Sequence, residues 1–227
     1  MSGFLVRLQL ILKLWFTSLY TILIMLLIPI AALVIYSQGS YTLEELASIV
    51  YEEAAPIWFI LILQWCLSID FDSKFHMQVM TYRIARWKFL MERLLFSAVI
   101  FISLLGIVTL VLMPFMKNFV WQSLLFTVTI YITFAGIVLA GTVLSNHSVG
   151  GLLIGILFWM FYEFGGILLG DLNVILLEYG SVYTFVKGET GFLAETNHWI
   201  LYNRLFYLGM GVLLTGLAIF QFNRKTA

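Results

Sequence analysis

The chain has little with which to do chemistry of its own. Among 227 residues there is a single cysteine, Cys66, which excludes an intrachain disulfide and a thiolate metal cluster. Cys66 lies inside an apolar run and reads as a buried apolar side chain. The three histidines, His76, His147 and His198, stand far apart at the edges of apolar stretches rather than as a ligand pair at helical spacing. No Gly-rich loop closing on Lys-Ser/Thr is present, which excludes nucleotide hydrolysis by that route in this chain. The Glu52-Glu53 pair lacks the later intraspan histidines that a membrane metalloprotease would need. No catalytic, cofactor-binding or metal-binding residues are therefore assigned. Charge is scarce too: 11% of residues are charged and the formal net charge is zero, against roughly 25% charged in a soluble domain. Overall charge offers nothing to nucleic acid, so only its placement is informative.

What is there is hydrophobicity. Apolar residues make up 62% of the chain and the mean hydropathy is +1.02. They are blocked into runs near the ~20 residues that cross a hydrocarbon core of ~30 Å. The expectation is a single all-α integral membrane domain over residues 1–227, with six spans at about 19–36, 51–69, 94–115, 120–144, 149–169 and 199–222. Pro29 interrupts the first span tolerably. Pro56 falls in the first turns of the second, where a missing N–H matters little, and the third stops at Pro114. The ~10-residue alternating segments of a transmembrane barrel are absent.

Before the first span, residues 3–18 place Gln9, Lys13 and Thr17 on one narrow polar stripe, with Leu, Phe and Trp elsewhere. A helix lying in the membrane interface fits that pattern; a cytoplasmic extension of the first span is the alternative. Arg7 and Lys13 break up the apolar stretch, unlike a cleavable signal.

Orientation follows from the basic residues. Arg7, Lys13, Lys74, Arg83, Arg86, Lys88, Arg93, Arg224 and Lys225 fall on one side, nine of the twelve in the chain. Lys117, Lys187 and Arg204 fall on the other, whose first loop carries Glu44, Glu45, Glu52 and Glu53. The basic side is read as cytoplasmic, with both termini inside. The link 145–151 is short and uncharged with His147 neutral. The segment 170–197 mixes apolar and charged residues and is too short for two spans, so short helices dipping into the outer leaflet are expected.

Two charges stand within expected spans. Glu163 is about six residues short of one outer end and Arg204 about six residues in from another, each ~9 Å deep at 1.5 Å per residue. An ionisable group there is costly unless paired or hydrated. The two are expected to pair, as a structural tie or on a substrate path, or to face a common watery cavity. Glycines from Gly136 to Gly216 punctuate spans four to six and suit close helix packing in lipid.

The densest basic stretch, 70–93, also carries Phe71, Phe75, Met77, Val79, Met80, Tyr82 and Trp87. Apolar residues at helical spacing in a charged loop suit a short amphipathic helix that enters a groove on a partner; a helix that only sets topology is the alternative.

The layout resembles the type-two class of ABC transporter permeases, the six-span membrane subunits of exporters. Two stretches carry the resemblance. One is Asp72, the helix 75–81, Arg86, and Arg93 entering span three. The other is Tyr202-Asn-Arg-Leu-Phe-Tyr-Leu-Gly-Met-Gly211 with the ending Phe222-Asn-Arg-Lys225. The proline that often precedes the arginine after the first cytoplasmic helix is missing here. The resemblance implies a coupling role for Asp72, Phe75, Met77, Val79, Met80, Arg83 and Arg86. His147, in the 145–151 link, would belong to a second, smaller contact, and the segment 170–197 would hold short re-entrant helices. It implies a cytosolic ABC ATPase subunit carrying the ATP and Mg, a second permease subunit of the same or another kind, surrounding membrane lipid, and a bacterial cell membrane. The chain itself would be no enzyme, and would move a hydrophobic or amphipathic substrate outward: a peptide, an antimicrobial or a lipid-like compound. Two readings from other classes stand beside this one: a proton-coupled secondary transporter with Glu163 as proton carrier, and a membrane scaffold or sensor binding a cytosolic regulator.

Overall fold

The computed structural model describes residues 3–19, 21, 23, 34, 42–74, 86–116, 118–191 and 194–224. Among the described residues the fold is all-helical, without strands. In chain order the helices are α1 (Gly3–Thr17), α2 (Leu43–Phe71), α3 (Arg86–Met116), α4 (Phe119–Ser145), α5 (Ser148–Leu169), α6 (Gly180–Val186) and α7 (His198–Arg224). Five of them, α2, α3, α4, α5 and α7, are long and apolar enough to cross a membrane. The first expected span, about 19–36, falls almost wholly outside the described residues, as does the expected helix at 75–81.

α2 begins earlier than hydropathy suggests. Thr42 and Glu45 form a capping box: Thr42 N–H donates to Glu45 Oε2 (2.7 Å) and Glu45 N–H to Thr42 Oγ1 (3.3 Å), satisfying two of the orphan donors at a helix start. The helix then runs 29 residues, so Glu44, Glu45, Glu52 and Glu53 are helical residues and not an acidic loop. Pro56 consequently sits in the interior of α2 rather than in its first turns. There it offers no N–H to the carbonyl four residues back, on Glu52, and its ring crowds that carbonyl. The helix responds by widening to π geometry over Ser48–Ala54, with the Ala55 N–H donating to the Val50 carbonyl. Side chains from α4 and α5 complete the widened turn. Tyr131 Oη donates to the Tyr51 carbonyl (2.8 Å), Tyr162 Oη to the Glu52 carbonyl (2.8 Å) and Trp159 Nε1 to the Glu53 carbonyl (2.9 Å).

α4 is the hub, touching every other long helix. Burial of the most apolar stretch reaches 67% in α2 and 61% in α4, but only 22% in α7 and 17% in α5. Exposed Leu157, Phe164 and Leu168 on α5 and Val212, Leu213 and Leu217 on α7 are what a lipid-facing surface requires. Two glycines allow a close approach of α4 and α7. A Cβ on Gly136 would come within 2.5 Å of the Gly211 carbonyl, and one on Gly211 within 2.6 Å of the Ile132 carbonyl. Beside them, Thr133 Oγ1 donates across to the Tyr207 carbonyl (2.5 Å). Aromatic contacts fill the remaining core, with Phe101 4.8 Å from Phe59 and 4.9 Å from Tyr131 between ring centroids.

α1 is 15 residues long, short of the ~20 that a span needs. It packs on α2 through buried Ile11 and Trp15, whose ring meets Trp65 edge-on at 4.9 Å.

Because the clash at Gly211 is with backbone, Gly211→Ala is expected to destabilise by about 1–3 kcal/mol. Gly209→Ala, with open space at its Cβ, is expected to be neutral or slightly stabilising on helix propensity. Thermal unfolding of the two variants in detergent checks the difference.

Candidate functional site: a buried carboxylate that gathers α2, α7 and the strap after α5

α5 ends at Gly170, whose φ of +52° suits a residue without a Cβ. A short 3-10 turn, Gly170–Leu172, follows, and then a non-helical strap to Tyr179. Val174, Leu176 and Leu177 in this strap are buried. Buried non-helical backbone needs protein groups to satisfy it, and here neighbouring side chains do. Asn203 Nδ2 donates to the carbonyls of Asp171 (2.8 Å) and Asn173 (2.7 Å). Tyr207 Oη donates to the Leu172 carbonyl. Arg204 Nη1 donates to the Val174 carbonyl (3.1 Å). Four consecutive strap carbonyls are thus held by three residues of α7.

The strap's N–H groups turn to α2. Glu52 Oε2 accepts from the Leu176 and Leu177 N–H groups, each at 2.8 Å, and from Ser48 Oγ at 3.2 Å. Its Oε1 accepts from Arg204 Nη2 in a salt bridge. The Glu52 side chain is fully enclosed, and that of Arg204 is 8% exposed, with its guanidinium carbon 4.0 Å from the Phe126 ring centroid. A lone charge at this depth would be destabilising by several kcal/mol. The partner carboxylate, three hydrogen bonds to that carboxylate and an aromatic face offset the loss of water.

The expected pairing of Arg204 with Glu163 is therefore corrected: Arg204 pairs with Glu52. Depth alone could not choose between them, because both carboxylates lie near the same end of the bundle. Glu163 stays on α5, half-buried, its Oε2 enclosed and without a hydrogen-bond partner. Hydropathy and charge placement give Glu52, Asn203 and Tyr207 no role in holding Arg204 or the strap. A signal existed: Asn203, Arg204 and Tyr207 share one helical face, and Glu52 stands four residues before Pro56.

At the opposite end of α2, Asp72 meets the start of α5. The Ser148 N–H donates to Asp72 Oδ1 (2.9 Å) and Ser148 Oγ to Asp72 Oδ2 (2.6 Å), while Gln64 Nε2 donates to Ser148 Oγ (3.0 Å). A carboxylate at a helix N-terminus answers both the unpaired N–H groups and the helix dipole. His147 Nδ1 lies 3.1 Å from Asp72 Oδ1 and 3.3 Å from the Val149 nitrogen. An unprotonated Nδ1 accepts from Val149; a protonated one donates to Asp72. The structure thus brings Asp72 and His147 together. Arg86 is the first residue of α3. Phe75, Met77, Val79, Met80 and Arg83 lie outside the described residues.

Two residues before Asp72, Asp70 forms a two-point ion pair with Arg93. Arg93 Nε is 2.5 Å from Asp70 Oδ2, and Nη2 donates to Oδ1 at 3.0 Å. Among the described residues no cluster of three His, Cys, Asp or Glu is placed to hold a metal. Compared with protein-family models, with curated proteins and with solved structures, the chain matches none.

The Glu52–Arg204 pairing is checked by double-mutant cycles read from unfolding in detergent. Glu52→Gln alone is expected to destabilise by about 3–5 kcal/mol, because it leaves Arg204 buried without its countercharge. Glu52→Gln with Arg204→Gln should be coupled by about 1–3 kcal/mol, whereas Glu163→Gln with Arg204→Gln should be additive within ~0.5 kcal/mol.

Proposed function

We propose that this chain is the membrane-spanning subunit of an ATP-driven ABC-type exporter, moving a hydrophobic or amphipathic substrate outward. The observation that carries the reading is the double grip of α2 on α5. Asp72 of α2 holds the first turn of α5 through Ser148. Glu52 of the same helix holds the strap that follows α5's far end. A push on the segment after Asp72 would be carried along one helix to both ends of another. That is what a membrane subunit needs when its power comes from a separate ATPase. In this reading the stretch 75–83 docks on the ATPase and the link at His147 makes a lesser contact. The strap then closes the outer end of the pathway. Six spans, both termini in the cytoplasm, a cell-membrane location and pairing with a second permease subunit belong to the same proposal.

A second reading draws on Glu163. Its enclosed, partnerless Oε2 suits a proton carrier, which would make the protein a secondary transporter driven by a proton gradient.

Reconstitution in liposomes separates the two. The exporter reading expects a cytosolic P-loop ATPase to co-purify, to be lost on replacing Phe75 and Met77 by Asp, and to support ATP-dependent efflux. Asp72→Ala should keep the ATPase bound yet lower substrate-stimulated ATP hydrolysis about tenfold, the size of a ~1.4 kcal/mol coupling. Uptake or efflux driven by a proton gradient without ATP, and lost in Glu163→Gln, would contradict it.

A further inference from the structure

The link between α4 and α5 holds one imidazole nitrogen between two partners. His147 is extended, with φ −146° and ψ 139°, and its backbone is pinned from both sides. Its N–H donates to Ser145 Oγ (3.3 Å), and its carbonyl accepts from Ser145 Oγ (2.9 Å) and from the Gly150 N–H (3.1 Å). So placed, Nδ1 lies 3.3 Å from the Val149 nitrogen and 3.1 Å from Asp72 Oδ1. Asp72 need not move to meet it, because the Ser148 N–H and Oγ already hold its two carboxylate oxygens. Both partners are in place, and only the proton on Nδ1 decides between them.

One nitrogen cannot serve both at once. The Val149 N–H needs its lone pair, whereas the Asp72 carboxylate needs a proton on it. A bare Nδ1 caps the first turn of α5. A protonated Nδ1 releases Val149 and ties the link to the end of α2. An imidazole ordinarily changes charge between about pH 5 and 8, and the ring here is 55% exposed, so water delivers the proton directly. Positive charge at the start of α5 opposes the helix dipole, and the Asp72 carboxylate offsets it. A helix cap and a half-exposed ion pair are of similar worth, so neither arrangement is locked. Among the described residues, Asp72 is the charged group at ion-pair distance from His147. The adjoining ends of α4 and α5, residues 144–146 and 148–152, carry no charge, and Lys74, two residues past Asp72, is exposed. We propose that His147 is a pH-sensitive switch, whose protonation moves the α4–α5 link from a contact within α5 to a contact with α2. The switch needs no ATPase and is independent of what the protein transports.

Nuclear magnetic resonance of the nitrogen-15-labelled full chain in lipid nanodiscs tests it, with spectra at about pH 8 and about pH 5, on either side of an ordinary imidazole titration. The His147 Nδ1 resonance should pass from that of a bare nitrogen to that of a protonated one. The Val149 amide, compared with an unstructured amide at the same pH, should lose about fivefold of its protection from exchange, the size of one cap hydrogen bond. His147→Asn supplies a cap oxygen that does not titrate, and in that variant Val149 should be equally protected at both pH values. A proton on Nδ1 at both pH values, unchanged protection of Val149 in the unaltered chain, or the same loss of protection in His147→Asn would each overturn the proposal. The first two readings need no variant to fold.

Discussion

One buried carboxylate sets the arrangement of the Glu52 end of the bundle. Glu52 accepts from two strap N–H groups, from Ser48 and from Arg204. It thereby joins α2, α7 and the segment after α5 at a single side chain. Its position depends on a backbone constraint two turns wide. Pro56 in the interior of α2 is incompatible with an unbroken α-helical ladder, and the π stretch at Ser48–Ala54 is how the chain accommodates it. π turns inside α-helices are frequent at functional sites because they re-aim side chains. Here the re-aimed side chain is the one that meets Arg204. Tyr131, Tyr162 and Trp159 then lock the widened turn from two neighbouring helices.

The same physics recurs at two levels of α2, within its π turn and at its C-terminal end. Each offers a carboxylate to backbone N–H groups that no helix satisfies: Glu52 to Leu176 and Leu177, Asp72 to Ser148. In both cases the accepting group belongs to α2 and the donors belong to α5 or its continuation. α2 is among the most buried helices and α5 the least. A well-packed helix therefore fixes the two ends of one whose apolar surface is otherwise mostly exposed. That asymmetry gives the polar contacts at its two ends a large part in placing α5, and it is the physical ground for the exporter reading.

The long helices were legible because a span needs a run of apolar residues whatever it packs against. Their ends were less so. Glu44, Glu45, Glu52 and Glu53 read as an acidic loop on hydropathy, yet the Thr42–Glu45 box starts the helix before them. For the same reason hydropathy puts Pro56 in a first turn, where no π turn is called for. Arg204 was recognisable as a costly intraspan charge, but its partner was not. Depth comes from counting residues along a helix, whereas partner choice depends on helix rotation and on which helices adjoin. The sequence points to Asp72 and His147 only through the resemblance to the permease class. Their meeting at Ser148 required the α4–α5 turn to fold back, with Asn146 in left-handed geometry at φ 58°.

The central claim is that Glu52 holds the strap through the Leu176 and Leu177 N–H groups. Residue-resolved hydrogen–deuterium exchange of the full chain in lipid nanodiscs tests it directly. The account predicts that both amides are protected in the unaltered protein. In Glu52→Ala they should exchange at least about tenfold faster, as loss of ~1.4 kcal/mol of protection requires, while α4 amides near Gly136 keep their protection. Unchanged protection of Leu176 and Leu177 in Glu52→Ala would contradict it.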